Sequence, residues 1–184
     1  MECNEYTQTV EKYLAEDSSA VFGNFSSAHA GYIISRFLET AKHSVEILSG
    51  SFADTFYDGL SIDRLLVETA IRVRRNGGQV RIITSDGITS ERLRRLSQAA
   101  NEIESNALQY ASAEYRGSAP LKHFLVVDAK RYRLEEAHEK TTETPMCVKA
   151  EVCCNGRTKA RELLEYFNRI WQVVSLQPTA VNAK

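Results

Sequence analysis

The residues best equipped for chemistry fall in one stretch: Lys122, His123, Asp128, Lys130, Arg131, Arg133, Glu135, Glu136 and His138. Within it, Phe124-Leu125-Val126-Val127 is an apolar run that reads as the centre of a strand. His123 therefore enters at one end of that strand and Asp128 leaves at the other. Arg131–Glu135 reads as its partner, joined by a tight turn at Asp128-Ala129-Lys130. A period of two puts Arg131, Arg133 and Glu135 on one face, and Tyr132, Leu134 and Glu136 on the other. An imidazole exchanges protons near neutrality, a carboxylate can orient it, and a basic side chain can hold a phosphate.

Three uses of these groups remain open. In one, His123 is a nucleophile or acid while Lys122 and Arg133 clamp a phosphate. A twofold interface would then bring two His123 side chains together for attack and protonation. In another, the groups form a phosphate or nucleotide pocket without turnover, with Arg133 and His138 on the ligand and Glu135 positioning Arg133. In the last, His123 is a satisfied, partly buried histidine and Arg133–Glu135 an ordinary same-face pair on a solvated hairpin.

A second basic group is spread over the middle of the chain: Arg64, Arg72, Arg74, Arg75, Arg81, Arg92, Arg94 and Arg95. Arg72, Arg74, Arg75, Arg94 and Arg95 sit on helix ends and could form a face that grips nucleic-acid phosphates regardless of sequence. Asp63, Glu68, Asp86 and Glu91 oppose them, so solvated helix faces explain the same pattern. No interleaved aromatics point to base stacking.

Other chemistries find no support. Cys3, Cys147, Cys153 and Cys154 contain no Cys-x-x-Cys pair, so neither a zinc site nor a disulfide framework is expected. Ser49-Gly50-Ser51 follows a strand but lacks the lysine of a phosphate loop, and Gly-x-Ser-x-Gly is absent. No metal or cofactor is expected. Phe52, Phe56 and Tyr57 in the following loop read as cover for a core edge or a subunit contact.

The elements that must position these residues alternate. Residues 1–25 read as an N-terminal helix or tail, with Val10, Tyr13 and Leu14 at helical spacing, loosely tied to the domain. Residues 26–176 read as one α/β domain. Ser26 or Ser27 caps a helix whose inner face is Ala30, Ile33, Ile34, Phe37, Leu38 and Ala41. A strand at Val45 comes after it, then a helix with Ile62, Leu65, Leu66, Thr69, Ala70 and Val73 inward, stopped by Gly77-Gly78. Next come a strand at Gln79, a helix capped by Ser90 with Leu93, Leu96, Ala100 and Ile103 inward, and strands at 108–115, 123–127, 131–135 and 147–153. The closing helix carries Leu163, Leu164, Phe167, Ile170, Trp171 and Val174 on one stripe. Residues 177–184 read as a flexible tail. This order predicts a mixed β-sheet with helices on both faces.

With 184 residues, 43% hydrophobic and 26% charged, the chain has the balance of one soluble domain rather than of a disordered or fibrous protein. A net charge of −1 rules out a uniformly basic coat. No apolar run reaches a membrane span and no signal peptide is evident, so a cytoplasmic protein is expected.

Leu121-Lys122-His123-Phe124-Leu125-Val126-Val127-Asp128, on its apolar strand, resembles the signature of the phospholipase D-like superfamily: His, any residue, Lys, four residues, Asp. The order of elements over roughly 26–174 is similar to one half of such a protein. With Asp128 aligned to the motif's aspartate, His123 takes the lysine's place and Leu121 that of the nucleophilic histidine. The usual Gly-Ser after the motif is missing too. Since active members join two halves, the resemblance implies a homodimer. It also implies a degenerate member that binds a phosphate-bearing ligand, nucleic acid first, as an accessory or regulatory protein. A phosphodiesterase or nuclease using His123 and Asp128, with His123 drawn from two subunits, is the alternative. A purely structural dimerisation module is the third.

Overall fold

The computed structural model describes residues 3–24, 26–50, 60–84, 91–112, 122–135 and 149–175. In chain order the elements are α1 (Cys3–Ala15), β1 (Val21–Asn24), α2 (Ser27–Thr40), β2 (Ser44–Ser49), α3 (Leu60–Arg75) and β3 (Gln79–Thr84). They continue with α4 (Glu91–Ile103), β4 (Leu108–Ser112), β5 (Phe124–Val127), β6 (Arg131–Glu135), β7 (Ala150–Cys153) and α5 (Arg157–Ser175). The strands form one sheet of seven in the order β1-β7-β6-β5-β2-β3-β4. β2, β3 and β4 run parallel, and β5, β6, β7 and β1 pair antiparallel beyond them. The seam between the two halves is the β2–β5 pair.

Both faces of the sheet are covered, as the alternation of elements requires. On one face Val45, Ile47, Val80, Ile82, Leu125, Val127 and Val152 pack under α1–α4. On the other, Leu48, Ile83, Phe124, Val126, Tyr132 and Cys153 pack under α5. Cys153 and Cys154 fall on opposite faces, as adjacent strand residues must.

The expected inner face of α2 is buried, and Ser26 caps it by accepting from the His29 amide at 3.1 Å. α3 stops at Gly77, which has φ +79°. A side chain on the next residue is impossible, since a Cβ on Gly78 would lie 1.8 Å from the His43 carbonyl oxygen. The β5–β6 hairpin turns through Asp128 (φ +55°) and Ala129 (φ +48°), two left-handed residues in the manner of a type I′ turn.

Four sequence expectations change. α1 is no loose appendage: Tyr6 and Val10 are fully buried in the main core, and Glu11 binds Arg36 and Tyr32 of α2. β1, unforeseen at Val-Phe-Gly-Asn because glycine and asparagine disfavour strands, adds the sheet's outer strand, so residues 21–24 belong to the domain. Ile103 is 58% exposed and Ser97 is buried instead. At 3.6 residues per turn Ile103 lies about 70° off the stripe's axis. On α5, Leu164, Ile170, Trp171 and Val174 are only half-buried. The Ser90 cap, Cys147, the strand ends at 113–115 and 147–149 save Lys149, the Phe52–Tyr57 aromatics and the tail from 177 lie outside the described residues. No helix among the described residues is long and apolar enough to cross a membrane.

Because α1 is part of the core, Tyr6→Ala should cost about 3–5 kcal/mol in urea unfolding, as loss of a buried aromatic does. A helix merely appended would lose less than about 0.5 kcal/mol.

Candidate functional site

Pairing registers align one residue from every strand where the parallel strands end. The row runs Asn24 (β1), Ala150 (β7), Glu135 (β6), His123 just before β5, Ser49 (β2), Thr84 (β3) and Ser112 (β4). His123 is fixed in it by its carbonyl, which accepts from the Glu135 amide at 2.9 Å. Alternation turns all seven side chains towards the α1–α4 face. The row beneath is apolar except for Arg133. Open α/β sheets place ligands outside the carboxyl ends of their strands, where the strand order reverses. Here that point is the β2–β5 seam, where Ser49 and His123 are neighbours.

A line of polar contacts crosses this row. Arg133, 1% exposed, donates from Nε to Asn24 Oδ1 at 2.8 Å and from Nη1 to Glu135 Oε1 at 2.5 Å. Glu135 Oε2 faces His123 Nδ1 at 3.4 Å. Burial pushes the Glu135 carboxyl up, but the His123 contact and the Arg133 charge outweigh it and hold the group down at about 2. Nδ1 thus faces a carboxylate, which a protonated Nδ1 can bond. Gly50 lies against the ring: a Cβ there would sit 3.0 Å from His123 Cε1 and 3.3 Å from Nε2. A glycine is what lets β2's exit approach the imidazole.

The structure brings His123, Arg133 and Glu135 together but gives Arg133 a different place from the ligand contact expected. It is buried behind Glu135 and orients the carboxylate, reversing the expected order in which Glu135 positions Arg133. Lys122 is exposed beside His123, and His138 lies outside the described residues. Asp128 stands at the opposite end of β5 from His123, about 16 Å away at 3.3 Å per residue. Its carboxylate accepts from the Lys42, His43 and Ser44 amides at 3.1, 2.7 and 2.9 Å, which ties the hairpin tip to the start of β2.

The arginine patch divides. Arg72 reaches the Leu38 and Ala41 carbonyls, Arg74 the Ser105 carbonyl and Arg75 the Glu104 carboxylate, all at the far ends of α3 and α4. Arg94 and Arg95 lie in the first turns of α4, at the end that faces the strand termini, and Arg94 pairs with Glu91 at 2.5 Å. The two groups are therefore separated by most of the length of α4. Among the described residues no cluster of His, Cys, Asp and Glu could hold a metal ion.

Asn24, Ala150 and Gly50 were not legible as site residues. Asn24 and Gly50 lie far in sequence from the ionisable cluster, and only the strand registers join them to it.

No family model and no curated protein matches the sequence. Solved structures do. Over 83% of this chain and 94% of the other, it resembles Nuc from Salmonella typhimurium, a phospholipase D family member, with TM-score 0.57 and 20% identity. NucT from Helicobacter pylori aligns over 84% and 98% of the two chains, with TM-score 0.53 and 11% identity. TrmBL2, an archaeal chromatin protein, aligns over 93% of this chain and 60% of its own, with TM-score 0.58 and 11% identity. The chain has the phospholipase D-like fold. That fold accounts for the mixed sheet with helices on both faces.

Two measurements check this geometry. Glu135 is depressed from its ordinary 4.5 to about 2, so its stabilisation is complete above 4.5 and lost as pH falls through 2. Glu135→Gln should therefore destabilise by about 3–5 kcal/mol at pH 7, as breaking a buried pair does. The gap from wild type should close between pH 4.5 and 2 in chemical unfolding. Asp128→Ala should lower the melting temperature while leaving the His123 ring resonances in place. Movement of those resonances would put Asp128 in the same site.

Proposed function

We propose that this chain is a phospholipase D-like domain that binds a phosphate-bearing ligand, nucleic acid first, as a homodimeric accessory or regulatory protein. The observation that carries the reading is the Arg133–Glu135–His123 line at the carboxyl end of the sheet. A carboxylate behind an imidazole can hold the ring in place as a hydrogen-bonding group for an anion. Exposed Lys122 supplies a second positive charge beside it. In this reading His123 and Lys122 touch the phosphate, while Arg133 and Glu135 stand behind; His138, outside the described residues, is a further candidate contact. Two observations favour nucleic acid. TrmBL2, whose structure shows a novel mode of DNA binding, is similar in fold. Arg94 and Arg95 lie at the strand-end side, where a chain of phosphates leaving His123 would pass. Leu121, at the place of the family's nucleophilic histidine, speaks for binding over turnover.

A second reading has its own support. A ring nitrogen backed by a carboxylate is part of the arrangement a nucleophile or general acid needs. Two such rings across a dimer could attack phosphorus and protonate the leaving oxygen.

Fluorescence anisotropy with a labelled oligonucleotide separates these readings. Wild type should bind at low salt, His123→Ala should weaken binding tenfold or more, and neutralising Arg94 and Arg95 should make the salt slope shallower by about 1–2. Sedimentation should give a dimer. Cleavage that disappears in His123→Ala would establish the second reading. Absence of binding at low salt would overturn both and leave a structural dimerisation module.

A further inference from the structure

β5 and β7 both pair antiparallel with β6, so they run in the same direction and both begin at the site end of the sheet. His123 and Ala150 each stand opposite Glu135. The residues just before them, Lys122 and Lys149, therefore sit at one level, a step outside the row. Two strand spacings of about 4.8 Å put their backbones about 10 Å apart. Both lysines are exposed, and flexible four-carbon stems let their ammonium groups reach over the strand ends.

Elsewhere on the surface Arg64, Arg75, Arg94 and Lys159 each hold a carboxylate at 3.4 Å or less. Lys122 and Lys149 hold none among the described residues, and neither does exposed Arg95 in the first turns of α4. The described carboxylates at this edge are engaged elsewhere: Glu135 with Arg133 and His123, Glu151 with the Tyr132 hydroxyl. Like charges set side by side repel, and an anion between them removes that cost. We propose that Lys149 is a phosphate contact paired with Lys122, and that the ligand's phosphate chain crosses the strand ends from β7, past His123, to Arg95. From β7 to β3 is four strand spacings, about 19 Å, which about six nucleotides of a stacked strand would span. A polymer of phosphates fits that path and a single nucleotide does not. The inference rests on the reading of this edge as a nucleic-acid site.

The test is the affinity for a labelled single-stranded oligonucleotide, measured over a series of salt concentrations. Lys149→Ala should weaken binding about two- to fivefold and make the logarithmic salt slope shallower by about 0.7, the loss of one phosphate contact. Lys149→Arg keeps the charge and should stay near wild type. Lys42 is exposed at the opposite end of the sheet, just before β2, so Lys42→Ala removes the same charge from the wrong place and should leave the slope unchanged. An unchanged slope in Lys149→Ala, or an equal change in Lys42→Ala, overturns the proposal and leaves the His123 reading standing. If wild type binds no oligonucleotide, that reading falls by itself, and titration with inorganic pyrophosphate followed by amide NMR decides the role of Lys149. Movement of the Lys122 and Lys149 signals in wild type, lost in Lys149→Ala, would keep the paired anion contact. Signals that do not move would overturn it.

Discussion

A guanidinium shut inside a sheet must be neutralised, because an unpaired buried charge costs several kcal/mol. Arg133 is such a group, 1% exposed on a strand in the middle of the antiparallel half. Its needs explain much of what surrounds it. Glu135, two residues on and on the same face, supplies the countercharge, and Asn24 on β1 supplies the second acceptor. Ala150 between them stays small. Once Arg133 fixes Glu135, the carboxylate stays ionised through the physiological range and its other oxygen meets His123.

That chain of requirements also explains why the N-terminal segment is built in. β1 can deliver Asn24 only if it is held in register against β7, and as an outer strand it has one paired edge. α1 supplies the rest. Tyr6 and Tyr13 pack on Phe22 of β1 with ring centroids 6.1 and 5.2 Å away, and Tyr6 stacks on His29 of α2 at 3.9 Å. Burial raises the Tyr6 hydroxyl and lowers His29, so both rings stay neutral where they meet. The first helix clamps the strand that anchors the arginine.

The sequence exposed the fold more readily than the site. The stripes on α2 and α3, the Gly77-Gly78 stop and the β5–β6 hairpin follow from local periodicity and turn chemistry, and they stand where those rules put them. The same rules failed at β1, where two apolar residues beside Gly23 and Asn24 give no strand signal and pairing with β7 does the work. For the site, alternation was enough to set Arg133 and Glu135 on one face with His123 near. It could not tell which side chain would be sealed inside. Arg133 looked like a ligand contact because arginines usually end in solvent; only the helices packed over that face make it a supporting group. Asp128 was grouped with His123 by the motif alone; the strand reading already set the two at opposite ends, and there they stand.

The sheet holds a second buried arginine–carboxylate pair, and the contrast between them shows what sets the first apart. Arg81 and Glu46 pair at 3.0 Å on β3 and β2, on the face covered by α5. There the guanidinium lies 5.1 Å from the Phe167 ring and 5.6 Å from that of Trp171, closed off by aromatic surface. Burial raises the Glu46 carboxyl despite Arg81, and the Asp128 charge adds to the rise. Glu135, similarly buried, moves the other way because it has two basic partners, Arg133 and His123. Glu46 sits mid-strand under a helix, and Glu135 sits at a strand end beside a ring that is 21% exposed. Both pairs solve the same problem of burying an arginine, and they differ in position: only Glu135 sets its carboxylate beside a partly exposed ring at a strand end.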